Sequence, residues 1–328
     1  MRVLVTGGAG YVGSILVERL LRDGHEVTVV DALVHGVPSL AHVASDPRFE
    51  FVYGDARDER VVLPLARRAD AILPLAAVVG APACDADPWR ARTVNVDAIR
   101  MLAERTSREQ LIVYPTTNSG YGTKSGEVFC TEETPLEPIS LYGRTKVQAE
   151  RILLDRGGAI TLRLATVFGM SPRMRLDLLV NHFVWTAITE GAIVIFEKDF
   201  KRNYVHVRDV ADCFAFALEH GEEMAGRPYN VGLDDANCSK AELAEKIRAH
   251  VPGFYVHFAE YGTDPDRRNY IVSNERLRQA GFEARRSLDD GIRELVKGLR
   301  MLAAAPHRNA PPVQAQRFGR PQLEPAAV

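Results

Sequence analysis

Val3-Leu4-Val5-Thr6-Gly7-Gly8-Ala9-Gly10-Tyr11-Val12-Gly13 is the stretch that decides the fold. A short apolar run of strand type leads directly into glycines spaced G-x-x-G-x-x-G (Gly7, Gly10, Gly13). The same stretch contains G-x-G-x-x-G on Gly8, Gly10 and Gly13. Beyond it Val12, Ile15, Leu16 and Leu20 recur at helical spacing, and Gly24 follows as a stop. Glycine permits a tight turn and lets backbone approach a pyrophosphate closely, and the helix start offers free N–H groups and a favourable dipole. The next strand, Val27-Thr28-Val29-Val30, ends in Asp31, 18 residues beyond Gly13. A carboxylate there accepts hydrogen bonds from adenosine ribose hydroxyls and repels a 2′-phosphate, which favours NAD over NADP.

Working outward, strand-like segments recur at Phe51-Val52-Tyr53, Ala71-Ile72-Leu73, Leu111-Ile112-Val113-Tyr114 and Thr161-Leu162-Arg163-Leu164-Ala165, with helical stretches between most of them. This alternation predicts a parallel sheet with helices on both faces. After Gly169 the pattern loosens. Arg173 to Val194 read as mostly helical, Asn203 to Val207 as extended, Val210 to His220 as a helix and Tyr229-Asn230-Val231 as a late strand. Ser239-Lys240-Ala241-Glu242 has capping-box spacing, and Ser287 to Asp290 open a helix with Ile292, Leu295, Val296 and Leu299 on one face. The expected organisation is a cofactor domain over 1–170, rejoined by about 205–235, a mainly substrate-binding lobe over 171–302, and a flexible Ala/Pro-rich tail over 303–328.

Composition narrows the function classes. The 328 residues carry a net charge of −2, with 46% hydrophobic and 26% charged residues. Nothing points to nucleic acid or to an anionic membrane surface. No apolar run reaches the length of a membrane span, and the first strand begins too early for a leader. Cys84, Cys130, Cys213 and Cys238 share no metal-ligand spacing, so no metal is expected and a reducing cytoplasm is the expected compartment. His182, His206 and His257 lack ligand spacing and read as structural or surface residues. Trp89 and Trp185 read as packing residues.

The chemistry-bearing pattern is Tyr142-Gly143-Arg144-Thr145-Lys146. On a helix, Tyr-x-x-x-Lys puts both side chains on one face. An ammonium near a phenol stabilises the tyrosinate, and a tyrosine so tuned exchanges a proton with a substrate hydroxyl as hydride leaves the same carbon. Upstream, Thr116-Thr117-Asn118-Ser119-Gly120-Tyr121-Gly122 follows directly on a strand, at the sheet end where ligands sit in such folds.

The chain resembles the extended short-chain dehydrogenases/reductases of the NAD-dependent epimerase/dehydratase family. The resemblance is carried in family order over about the first 300 residues. Its segments are Thr6 to Gly13, Asp31, Gly54-Asp55, Leu75-Ala76-Ala77, Asn95, the Thr117 to Gly122 loop, Tyr142 to Lys146, and Arg202 to Asp209. It implies an α/β fold, a Rossmann doubly wound parallel sheet with a smaller C-terminal α/β substrate lobe, NAD as cofactor, a nucleotide-sugar substrate, and a homodimer built through helices that include the one carrying Tyr142. It implies Thr117, Tyr142 and Lys146 as catalytic residues. The implied cofactor contacts are Gly7, Gly10, Tyr11, Val12, Gly13, Asp31, Asp55, Ala56, Leu75, Ala76, Ala77, Asn95, Thr116, Tyr142 and Lys146. The implied substrate contacts are Thr117, Asn118, Asn181, Arg202 and Arg268.

Three departures limit what the resemblance implies. Pro74 stands where a His is common, and Thr166 where many relatives carry Asn. Asn118-Ser119 occupy the place of the Asp-Glu pair that the family's 4,6-dehydratases use to expel water, which disfavours dehydration. Within the family, Pro74 to Pro82, Thr117 to Gly122 and Ser171 to Asn181 resemble GDP-heptose 4-dehydrogenases. The expected function is therefore hydride transfer at C4 of a nucleotide-linked sugar, with release of the keto sugar and re-reduction to an epimer both open. The alternatives are 4,6-dehydration and, against the intact Thr117, Tyr142 and Lys146 set, a non-catalytic NAD-binding regulatory protein.

Overall fold

The computed structural model describes residues 1–124, 129–260, 262 and 269–304. Seven parallel strands form the main sheet: β1 (Arg2–Thr6), β2 (Glu26–Asp31), β3 (Phe49–Tyr53), β4 (Ala71–Pro74), β5 (Leu111–Thr117), β6 (Ala159–Leu164) and β7 (Arg227–Val231). Their spatial order is β7-β6-β5-β4-β1-β2-β3. The chain builds β1, β2 and β3 toward one edge and then crosses to place β4 on the other side of β1. The carboxyl ends of β1 and β4 therefore flank the point where the winding reverses, and a crevice opens there.

Side-chain alternation explains why this sheet is covered on both faces. Val3, Val5, Val27, Val29, Leu73, Val113, Ile160 and Leu162 join one core with helix α1 (Tyr11–Arg22) and its neighbours. Leu4, Val30, Ile72, Ile112 and Tyr114 join the opposite core with Leu102, Ala149 and Leu153. A strand buried on both sides reads as a continuous apolar run, the pattern seen in the sequence. Helix α2 (Leu141–Arg156) covers this second face. Its start is fixed by Ser140, whose Oγ accepts from the Gly143 N–H at 3.1 Å, and Gly157 ends it in a left-handed conformation.

A further core links Phe168, Val180, Phe183, Val184, Leu243, Ile247, Ile292, Leu295 and Leu299. The long helical stretch expected from Arg173 to Val194 is shorter: helix α3 runs Leu179–Thr189, preceded by loop and followed by a strand at Ala192–Ile195. Pro172 and the polar Arg175-Leu176-Asp177 segment hold the start back. Gly191, in a left-handed conformation, ends the helix and turns the apolar Ile193 and Ile195 into strand pairing with Tyr255–Phe258. The predicted helix near Val210 is α4 (Val207–Glu219), and the last helix is α5 (Leu288–Ala304). Ser239 and Glu242 form the expected capping box, and Ser287 Oγ accepts from the Asp290 N–H at 3.1 Å. Of the expected tail, 305–328 lie outside the described residues, as does Arg268.

Candidate active site

The glycine loop closes the amino end of the crevice. Gly7 has φ +75°, and a Cβ on it would sit 2.5 Å from the Ala76 backbone nitrogen. A Cβ on Gly13 would sit 2.5 Å from the Gly8 carbonyl oxygen. These contacts are with backbone, so neither position accepts a side chain without shifting the loop against Leu75-Ala76 or against itself. Helix α1 begins at Gly10 without a side-chain cap, which leaves first-turn N–H groups to an external anion. Asp31 stands at the end of β2. Its Oδ2 accepts from the Ala9 N–H at 2.9 Å and its Oδ1 from the Leu33 N–H at 2.8 Å. Each oxygen keeps a lone pair for a ribose hydroxyl. Leu33 itself is left-handed (φ +45°), a turn that the Asp31 bond supports. The cradle, the uncapped helix and the carboxylate together fit NAD.

Several implied contacts are held inside the protein. Tyr11 is buried; its hydroxyl donates to the Gly169 carbonyl at 2.7 Å and accepts from Asn181 Nδ2 at 3.2 Å. Asn181 is also buried, with Nδ2 donating to the Arg175 carbonyl at 2.9 Å and Oδ1 accepting from the Gly169 N–H at 3.1 Å. Ser171 Oγ adds a bond to the Tyr11 carbonyl at 2.7 Å. These residues tie the start of α1 to the segment before α3. Val12 lies beside them, half-buried. Asn95 clamps Val78 from both sides, accepting from its N–H at 2.8 Å and donating to its carbonyl at 2.9 Å, and reaches Thr145 Oγ1 at 3.1 Å. It thereby fixes the strand exit after Ala77 to α2, one residue before Lys146. Asp55, next to Ala56, is gripped by Arg57, whose guanidinium holds its carboxyl below the usual carboxylate range. Arg57 also lies over Trp89, 5.5 Å from the ring centroid.

At the carboxyl end of β5, Thr117 is half-buried and caps the short turn Asn118–Tyr121. Its Oγ1 accepts from the Ser119 N–H at 3.1 Å and lies 2.9 Å from Ser119 Oγ. The turn abuts α2: a Cβ on Gly143 would come 3.3 Å from the Ser119 carbonyl oxygen. Thr117 and Tyr142 therefore stand on two segments in direct contact. Thr116 and Asn118 are buried, and neither Thr116 Oγ1 nor the Asn118 carboxamide has a protein partner among the described residues. Tyr142 is half-buried on the first turn of α2. Lys146, one turn on, is 3% exposed, and its Nζ lies 3.9 Å from the centroid of the Tyr114 ring. Burial pushes the Lys146 ammonium down to about 7, against the upward pull of Glu150 and Cys84. Arg202 is buried in the strand Lys201–Arg202, which pairs with Cys238–Ser239, and donates to the Lys201 carbonyl at 3.0 Å with its guanidinium 5.7 Å from the Tyr270 centroid. No group of three His, Cys, Asp or Glu among the described residues could hold a metal ion, and no helix among them is long and apolar enough to cross a membrane.

A buried lysine held near 7 weakens the fold in a way that has a sign. The unfolded chain binds the proton with the ordinary value of 10.5 and the folded chain with about 7. The penalty is full below pH 7 and vanishes as pH rises toward 10.5. Lys146→Met is thus expected to be more stable than the parent chain at pH 6, on the order of a few kcal/mol. The gap should narrow steadily above pH 7. Urea unfolding across that range checks it, and a pH-independent difference would contradict the buried charge.

Sequence reasoning missed the polar network behind α2. Arg163 donates to Glu150 at 2.6 Å and 3.1 Å, to Tyr121 Oη at 3.1 Å and to the Glu132 carbonyl at 3.0 Å. Tyr121 Oη donates a hydrogen bond to Asn230 Oδ1 at 2.7 Å. A lone arginine inside a strand otherwise read as buried was the available signal.

Comparison with known proteins shows the family. The model of the NAD dependent epimerase/dehydratase family matches residues 3–232. A UDP-glucose 4-epimerase of Lactobacillus helveticus is 32% identical over 294 residues, covering 81% of this chain and 87% of that protein. The low-salt glycan biosynthesis protein Agl12 of Haloferax volcanii is 29% identical, covering 90% of this chain and 97% of its own length. Among solved structures, Thermus thermophilus UDP-glucose 4-epimerase in complex with NAD superposes with a TM-score of 0.78 at 26% identity, covering 92% of this chain and 99% of that one. The Thermotoga maritima UDP-glucose 4-epimerase with UDP-glucose gives 0.81 at 25% identity, with 92% and 100% coverage. With the family model spanning residues 3–232 and a relative 32% identical over most of both chains, the chain belongs to the NAD-dependent epimerase/dehydratase family of sugar-nucleotide enzymes.

Proposed function

We propose that this chain oxidises the C4 hydroxyl of a nucleotide-linked sugar and either re-reduces the ketone from the opposite face or releases it. The observation that carries this reading is the Tyr142–Lys146 turn of α2, with its lysine buried and the Thr117 turn pressed against the same helix. NAD, when bound in the crevice, supplies the hydride acceptor. Lys146 would hold the nicotinamide ribose and stabilises Tyr142 as the phenolate; that phenolate takes the hydroxyl proton and becomes the neutral phenol, and Thr117 orients the substrate oxygen. Gly7, Gly10, Tyr11, Val12 and Gly13 would hold the pyrophosphate, Asp31 the adenosine ribose, Asp55 and Ala56 the adenine, and Leu75, Ala76, Ala77 and Thr116 the cleft wall. Arg202 would meet the substrate phosphates, where guanidinium geometry suits paired oxygens.

Water loss is the competing chemistry, since a dTDP-glucose 4,6-dehydratase of Streptomyces venezuelae shares the fold with a TM-score of 0.78 at 26% identity. Dehydration needs an acid and a base beside the sugar. A carboxamide at Asn118 and a hydroxyl at Ser119 titrate far from neutral pH and supply neither. Incubation with UDP-glucose, UDP-galactose, GDP-mannose and dTDP-glucose in the presence of NAD, read by NMR and mass spectrometry, separates the outcomes. A C4 epimer or 4-keto sugar from at least one is expected. A product lighter by one water would replace this reading with dehydration.

A further inference from the structure

We propose that Tyr114 is a positioning residue for Lys146, its ring face serving as the seat that holds the ammonium in its buried place beneath α2. The inference rests on the catalytic reading of Tyr142 and Lys146 given above. Tyr114 projects from the middle of β5 into the core beneath α2 and is 1% exposed. Its ring centroid lies 3.9 Å from Lys146 Nζ, the contact distance of a cation on a π-face. Among the described residues Nζ makes no hydrogen bond or ion pair with a protein group.

The ring adds its contact to the upward pull of Glu150 on the ammonium. On α2 itself stand Tyr142, one turn before, and Glu150, one turn after. Glu150 is paired with Arg163 at 2.6 Å and still favours the charged form of Lys146. From the helix Ala81–Ala86 comes Cys84, whose thiol burial pushes up to about 11, leaving it neutral at physiological pH. From β5 comes Tyr114, whose phenol burial raises well above the ordinary range, so it too stays neutral. The Tyr114 hydroxyl has no protein partner among the described residues, so the ring and not the hydroxyl is the interacting part. A desolvated cation–π contact shifts a protonation equilibrium by roughly thirtyfold. That margin decides whether Lys146 is charged near neutral pH, because burial already places its midpoint at about 7.

The test reads Lys146 directly. The full chain is labelled with lysine carrying carbon-13 at Cε, and the Lys146 resonance is assigned by its disappearance in Lys146→Met. Titration by NMR then compares the parent chain with Tyr114→Phe, Tyr114→Leu and Tyr114→Met, each checked by thermal melting. The two aliphatic variants differ in shape, so one remains if the other misfolds. Tyr114→Phe is expected to titrate with the parent, and the aliphatic variants to lose tenfold or more in proton affinity, with a matching fall in kcat and little change in KM for NAD. Aliphatic variants that titrate with the parent would overturn the proposal, as would a Tyr114→Phe variant that falls with them. Failure of the catalytic reading would show separately, as full turnover in Tyr142→Phe whatever Lys146 does in the Tyr114 series.

Discussion

Tyr142→Phe is expected to lower the rate of C4 oxidation by about 10²–10⁴-fold with NAD binding retained. The phenyl ring keeps the packing of the first turn of α2, whose start is fixed by Ser140 and not by Tyr142. What the substitution removes from the proposed chemistry is the proton acceptor. At 25 °C the expected loss corresponds to about 3–5 kcal/mol of barrier, the range of a removed general base. Lys146→Met should lower turnover as well, by a different route: Tyr142 stays but its phenolate loses the adjacent cation. The two variants therefore differ in their pH dependence. Activity in Lys146→Met should recover partly at alkaline pH, where the phenol ionises unaided, while Tyr142→Phe should show no recovery. Steady-state kinetics over pH 6–10 with the sugar nucleotide that the parent enzyme accepts would measure both. Unchanged turnover in a folded Tyr142→Phe would remove the tyrosine from the chemistry and make Thr117 the next hydroxyl to test.

How much of this was legible in the sequence follows from what each signal depends on. The sheet was legible because a strand covered on both faces must be apolar throughout, and Val3-Leu4-Val5 and Val27 to Val30 show that without knowledge of their neighbours. The glycine cradle and Asp31 were legible because their spacing is local. Arg173 to Val194 misled because a helix and a short strand of Ile193 and Ile195 share one apolar stretch, and Gly191 is the only local mark of the break. The roles of Tyr11, Asn95 and Asn181 could not be read from spacing. Their partners Gly169, Val78 and Gly169 again are far along the chain or presented by backbone, which no side-chain pattern announces. All three are implied ligand contacts, and each also joins two segments by internal hydrogen bonds. Holding those segments is itself a condition for a site whose atoms must keep their places. Tyr114 was read only as a strand residue, because the cation it faces comes from a helix 32 residues later.

Breaking the Glu150–Arg163 pair is expected to cost about 3–5 kcal/mol of folding stability, the largest single-residue effect outside the apolar core. Both side chains are almost solvent-free, at 2% and 6% exposure, and the guanidinium is held on both carboxylate oxygens. Burial works against the Arg163 charge, and Glu150 more than offsets it, so the guanidinium stays protonated. Glu150→Gln keeps shape and hydrogen-bonding capacity but leaves that charge without its counterion. Arg163→Met leaves the carboxylate stranded and also strips a donor from Tyr121 Oη and the Glu132 carbonyl. The double variant Glu150→Gln/Arg163→Met removes both charges, and should be more stable than either single change predicts by addition. Full recovery is not expected, because the Glu132 carbonyl still loses its donor. The pair sits beneath the Thr117–Tyr121 turn, with Arg163 beside Thr116 in register across β5 and β6. Loosening it should therefore also broaden the position of Thr117, and kcat should fall more than KM for NAD in variants that remain folded at the assay temperature. Urea unfolding of the three variants measures the coupling. Single variants that cost less than about 1 kcal/mol would show the pair to be reached by water, and strictly additive losses would show that the two charges do not depend on one another.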